Sequence, residues 1–147
     1  MISARFLAVV AATVGLGAGG APLTGCGEAN DAPSRPYEPA RLEAIEGTDV
    51  KRVRLTAEAV GRVGIRTATV ERRGRRTALS HTALIYGADG TTFVYTVSGP
   101  GSFVREAVRV ARVEGRMAEL FAGPRAGVQV VTVGAAEVYG TEFEVGH

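Results

Sequence analysis

From Lys51 onward the chain is cut into short segments by turn residues at nearly even spacing. Turns fall at Gly74, Ala88-Asp89-Gly90, Gly99-Pro100-Gly101, Glu114-Gly115 and Gly123-Pro124-Arg125-Ala126-Gly127. Between them run stretches of seven to thirteen residues rich in Val, Thr, Phe and Tyr. Such spacing leaves no room for long helices and predicts strands joined by hairpins. The expected class is mainly β: a small antiparallel β-barrel or β-roll with one or two short helices over residues 50–147. With 46% apolar residues, no Trp and few aromatics, its core is expected to be Val, Leu, Ile and Ala.

The periodicities locate the elements. Lys51 to Leu55 alternates with a period of two, which puts Val53 and Leu55 on one face. Thr56 is an N-cap candidate for a helix over Ala57–Val63, and Gly64 is placed to end it in the left-handed conformation. Ile65 to Val70 alternates again. Arg72-Arg73-Gly74-Arg75-Arg76 is read as a solvated hairpin tip. No aromatics interleave to stack bases, so nucleic acid is not expected as a partner; contact with anionic lipid headgroups is a minor alternative. Strands are expected at Ala83–Tyr86, Thr92–Val97 and Met117–Phe121. Phe103–Val113 is expected as one long strand, with Glu106 on its apolar face marking an edge or a bulge. Val128–Val133 is apolar on both faces, as in the middle of a sheet. Gly134 to Gly140 is expected to hold one helical turn.

The N-terminal region has a different character. Arg5 is followed by an uncharged run, Phe6 to Leu23, and then by the only cysteine, Cys26. A basic start, an apolar middle and small residues at the end are the layout of a secretory signal. A membrane anchor is the alternative, but Gly15, Gly17, Gly19, Gly20 and Pro22 make a poor helix. With no second cysteine, an internal disulfide is excluded. Residues 26–49 are read as a flexible tether containing Pro33, Pro36 and Pro39, with a reach of roughly 60 Å, and Arg41–Ile45 as a turn of helix. Arg5 is the only charged residue before Cys26. Removing that segment leaves 16 of the 17 basic side chains against 15 acidic ones, so the charge balance argues for no polyanionic partner.

Residues suited to catalysis are few. Past residue 50 the only aspartate is Asp89, in a turn where Asp-Gly is a backbone solution. Ser80 and His81 are adjacent, and adjacent strand residues point to opposite faces, so they are not expected to meet. The soft or imidazole metal candidates are His81, Met117 and His147, well separated in sequence. Neither enzymatic activity nor a bound cofactor or metal is expected.

Two resemblances add to this. Leu23-Thr24-Gly25-Cys26 resembles the lipobox of bacterial lipoproteins, which implies acylation of Cys26, signal residues 1–25, and an extracytoplasmic chain anchored to membrane lipid in the cell envelope. The strings Leu55–Glu71, Ala83–Tyr95, Phe103–Val110, Gly127–Gly134 and Ala135–His147 resemble, in order, the membrane-proximal domain of periplasmic adaptor subunits (membrane fusion proteins) of resistance-nodulation-division efflux pumps. The lipoyl-like domain, helical hairpin and β-barrel domain of full adaptors have no counterpart here: Glu71 and Thr82 are close in sequence. The resemblance implies a stand-alone membrane-proximal domain, joined across Arg72–Arg76. Its expected partners are an inner-membrane efflux transporter subunit and a full-length adaptor. The alternative is an envelope-structural or binding lipoprotein that uses the same β-roll without a transporter.

Overall fold

The computed structural model of the chain describes residues 37–144. They form two antiparallel sheets and two α-helices. The strands are β1 (Ala40–Ala44), β2 (Lys51–Leu55), β3 (Arg66–Thr69), β4 (Glu71–Arg73), β5 (Arg76–Ser80), β6 (Ile85–Tyr86), β7 (Thr92–Gly99), β8 (Ser102–Ala107), β9 (Arg109–Glu114), β10 (Met117–Ala122) and β11 (Gln129–Val133). The helices are α1 (Ala57–Val63) and α2 (Ala135–Glu144), and a 3-10 turn spans His81–Ala83. The larger sheet runs β1-β2-β8-β7-β11-β3, with β6 paired to β7; the smaller runs β4-β5-β10-β9.

The sheets do not close into a barrel, which corrects that part of the expectation. The reason lies at two residues. The chain leaves the larger sheet at Val70 and at Val108, each between one strand of the larger sheet and one of the smaller. Both valines are buried in the core between the sheets, with Leu79, Ala118 and Leu120 from one sheet and Val94 and Val130 from the other. Their amides stay bonded, Val70 to the Val128 carbonyl at 2.8 Å and Val108 to Thr92 at 2.9 Å. The expected single strand Phe103–Val113 is therefore two strands, in different sheets. Pairing of β8 with β2 covers only Ser102–Val104. On that side the strand is open at Glu106, whose carboxyl is pushed up by burial.

The opposite face of the larger sheet carries the helices. Val53, Phe93, Tyr95, Phe103 and Val131 pack there with Ala135 and Val138 of α2, while Val60 of α1 joins at the margin. Alternation decides which residue serves which core. On β7, Val94 faces the smaller sheet and Phe93 and Tyr95 face the helices; on β11, Val130 and Val131 divide in the same way. Val130 and Val131 are fully buried while Val133 at the strand end is exposed, and the strand lies inside the sheet between β7 and β3, as its two-faced apolar pattern predicts.

Several local expectations hold. Thr56 caps α1, its hydroxyl accepting from the Ala59 amide, and Gly64 ends the helix at φ 71°. Arg72–Arg76 forms the β4–β5 hairpin. Others do not. Ala40–Ala44 is a strand paired along its length with β2, so the fold begins inside the stretch read as tether, where a helical turn was expected. The Ala83–Tyr86 strand is reduced to a 3-10 turn and the two residues of β6.

The β7–β8 hairpin is pinned at Gly101. It sits at φ +61°, its carbonyl accepts from the Leu55 amide at 2.8 Å, and a Cβ there would run into the Leu55 carbonyl. Backbone on both sides leaves no flexible atom to yield. Gly101→Ala is expected to destabilise the domain by about 2 kcal/mol. A urea midpoint indistinguishable from the parent would show that the hairpin tolerates the change.

Candidate functional site

Helix α2 places an acidic residue on its buried face. Ala135, Val138 and Glu142 recur at helical spacing and are 4%, 0% and 5% exposed. The helix runs through Gly140 to Glu144, longer than the single turn expected. An internal glycine costs about 1 kcal/mol, which the packing of Val138 and the contacts of Glu142 offset.

Beneath the helix, Tyr95 of β7 stands directly opposite Arg105 of β8. Directly opposed residues in an antiparallel pair point to the same face, so both reach α2. The Tyr95 hydroxyl donates to Glu142 Oε2 at 2.6 Å, and Arg105 Nε lies 3.4 Å from Oε1. That second contact is an ion pair without a hydrogen bond, and Nε has no hydrogen-bond partner. The guanidinium is 5.3 Å from the ring centroids of both Phe93 and Phe143. Tyr139 stacks obliquely between the two phenyl rings, 5.6 Å from Phe93 and 4.7 Å from Phe143. An anion, a cation and three aromatic rings thus clasp the helix to the sheet.

A depression of about 200 Å³ opens beside the clasp, with Asp89, Phe93, Arg105, Tyr139 and Phe143 on its walls. Asp89 accepts from the hydroxyl of Thr91 at 2.6 Å and from its amide at 3.0 Å, and these bonds hold its carboxyl below the usual range. This is the turn role expected for Asp-Gly.

Burial, reinforced by the bond to Glu142, pushes the Tyr95 phenol far above its ordinary range. The group keeps its proton and acts as a hydrogen-bond donor. Its pKa is higher folded than unfolded, so its contribution to stability is complete below about pH 10, the unfolded value. Above that the unfolded chain loses the proton and the folded chain keeps it. Stability then falls by about 1.4 kcal/mol per pH unit. Urea unfolding of the parent and of Tyr95→Phe across the alkaline range should differ by this slope. Parallel profiles would show that Tyr95 titrates normally.

The residues singled out from sequence fare differently. Leu23, Thr24, Gly25, Cys26 and His147 lie outside the described residues. Ser80 and His81 do not meet: the serine hydroxyl is 2.9 Å from Thr82 Oγ1, and His81 Nδ1 is 3.1 Å from the Arg116 carbonyl. Met117 lies across from Ser80, so His81 and Met117 come to the same end of the β5–β10 ladder despite their separation in sequence. Among the described residues no three His, Cys, Asp or Glu side chains gather as a metal site, and no helix is long and apolar enough to cross a membrane. Sequence reasoning alone does not single out Tyr95, Arg105 and Glu142 as a group. The signal available was a glutamate at the helical repeat of Ala135 and Val138.

No family model, curated protein or solved structure matches the chain.

Proposed function

We propose that the chain is a lipid-anchored accessory or adaptor component of an envelope efflux transporter. In this reading the β-domain docks on the extracytoplasmic face of the inner-membrane pump, and Cys26 holds it at the bilayer. One observation carries the proposal. The opening segment, β2-α1-β3, and the closing segment, β11-α2, share one sheet and one core: β3 pairs with β11 from Arg66 to Thr69, and α2 packs against Val53 of β2. In the adaptor family the membrane-proximal domain is built from both chain ends. Here the segments following β3 are brought back by the short β4–β5 hairpin, where the intervening adaptor domains would otherwise be inserted.

The alternative, a binding lipoprotein without a transporter, draws support from the depression beside Arg105. Crosslinking in membranes, followed by affinity purification in mild detergent, separates the two. Recovery of an inner-membrane transporter subunit is the expected result. A free monomer with no transporter partner would overturn the adaptor reading.

A further inference from the structure

Arg73 and Arg76 are paired across the β4–β5 hairpin, with Arg72 and Arg75 beside them. At the same end of the smaller sheet β10 finishes and β9 starts, as the pairing of Ala122 with Arg109 requires. Between them projects Phe121, 58% exposed. Its ring is 4.5 Å from the Arg76 guanidinium carbon and 5.8 Å from that of Arg109. The acidic groups within this end are Glu71, 3.9 Å from Arg73, and Glu119, which is largely covered and pairs with Arg76 and Arg112. Arg72, Arg75 and Arg109 are exposed and form no ion pair among the described residues. Five arginines face two glutamates, so the tip carries a local excess of positive charge although the chain is nearly neutral overall.

Phe121 gives this cationic end an exposed apolar ring flanked by two guanidinium groups. At a bilayer surface, arginines pair with anionic headgroups while the aromatic ring sits among the glycerol and upper acyl groups. We propose that this tip is a docking surface for a layer of anionic phospholipid headgroups. The inference deepens the lipoprotein reading by specifying which end of the domain turns toward the bilayer. The vesicle measurement below does not depend on acylation, so it can fail while the transporter reading stands, and the reverse.

The test uses the full chain carrying Cys26→Ser, which removes any acyl contribution. Cosedimentation is compared between phosphatidylcholine vesicles and vesicles containing one third phosphatidylglycerol, at low and high salt. The difference between the two compositions cancels the N-terminal apolar run, which is common to both. Binding should rise with phosphatidylglycerol and weaken with salt. Arg72→Gln, Arg75→Gln and Arg109→Gln should each reduce the phosphatidylglycerol-dependent partition constant about fivefold, whereas Arg72→Lys should retain it. Phe121→Ala should lower the part that survives high salt. Thermal unfolding of each variant verifies that these exposed changes leave the fold intact. Equal binding to both vesicle compositions, or unchanged partitioning of the three glutamine variants, would overturn the proposal. So would displacement from the vesicles by duplex DNA at equal charge, which would make the tip a polyanion surface instead.

Discussion

Glu142→Ala is expected to cost the domain about 3 kcal/mol, at the lower end of the range for breaking one partner out of a buried ion pair. Three consequences add. The Tyr95 hydroxyl, on a fully buried residue, loses its acceptor, and an unsatisfied buried hydroxyl costs about 1–3 kcal/mol. Arg105, whose side chain is 26% exposed against 3% for Glu142, keeps a charge with no counterion. Its exposure lets the head recover some water, which keeps the cost low in the range. Packing between α2 and the sheet also loses the stem of the glutamate. Glu142→Gln keeps the shape and an acceptor for Tyr95, so it should cost less than half as much. In an Arg105→Ala, Glu142→Ala double-mutant cycle the two losses should fall well short of additivity, since both remove the same pair. Urea unfolding at neutral pH measures all three. The loss also has a location: hydrogen exchange in α2 should quicken more than in β7 or β10. A Glu142→Ala protein within about 0.5 kcal/mol of the parent would mean that the apolar contacts of Ala135 and Val138 hold the helix unaided.

Legibility in the sequence followed how local each determinant is. Hairpins at residues 74, 88–90, 99–101 and 114–115 are dictated by a few adjacent residues, and each appears where the turn chemistry put it. The capping of α1 by Thr56 and Gly64 is equally local. The inside position of β11 was readable because two faces of valine have no other use. By contrast, Ala40–Ala44 joins the sheet through main-chain pairing with β2, and its composition carries only Leu42 as an apolar inward residue. Nothing in its own side chains distinguishes it from a linker. The break at Val108 is invisible for a related reason. Glu106 on the apolar face marks an irregularity two residues before it, but the alternation resumes at Val108, and only the presence of a second sheet turns the chain there. That turn, with its partner at Val70, is also what keeps the sheets from closing as a barrel. The length of α2 was masked by Gly140, whose low propensity is offset by the packing of Ala135, Val138 and Glu142; Gly134, at φ 84°, stands just before the helix. The clasp was least accessible. Tyr95 and Glu142 are 47 positions apart, and Glu142, one of three glutamates in α2, reads as surface until its partners are placed.

Cys26→Ser should abolish fatty-acid attachment altogether. With a clickable palmitate analogue supplied to growing cells, the parent should carry label and the variant none. The physical stake is large, because each acyl CH₂ buried in the bilayer is worth about 0.8 kcal/mol. The acyl chains that a lipobox implies on one cysteine would together anchor the chain stably. The basic tip around Phe121 would add a salt-sensitive contact beside them. The residues between Cys26 and the start of β1 at Ala40 span at most about 50 Å when extended. A domain of this size is about 35 Å across. Because the fold starts at Ala40, this reach is shorter than the roughly 60 Å expected for a tether ending near residue 47, but it still exceeds the diameter of the domain. Label and salt extraction therefore report on separate things. Loss of label in the serine variant, with whatever binding remains through the tip being released by salt, fits both attachments. Label on the serine variant, or none on the parent, would remove acylation of Cys26 from the account, and the adaptor reading would then have to stand on the docking of the β-domain alone.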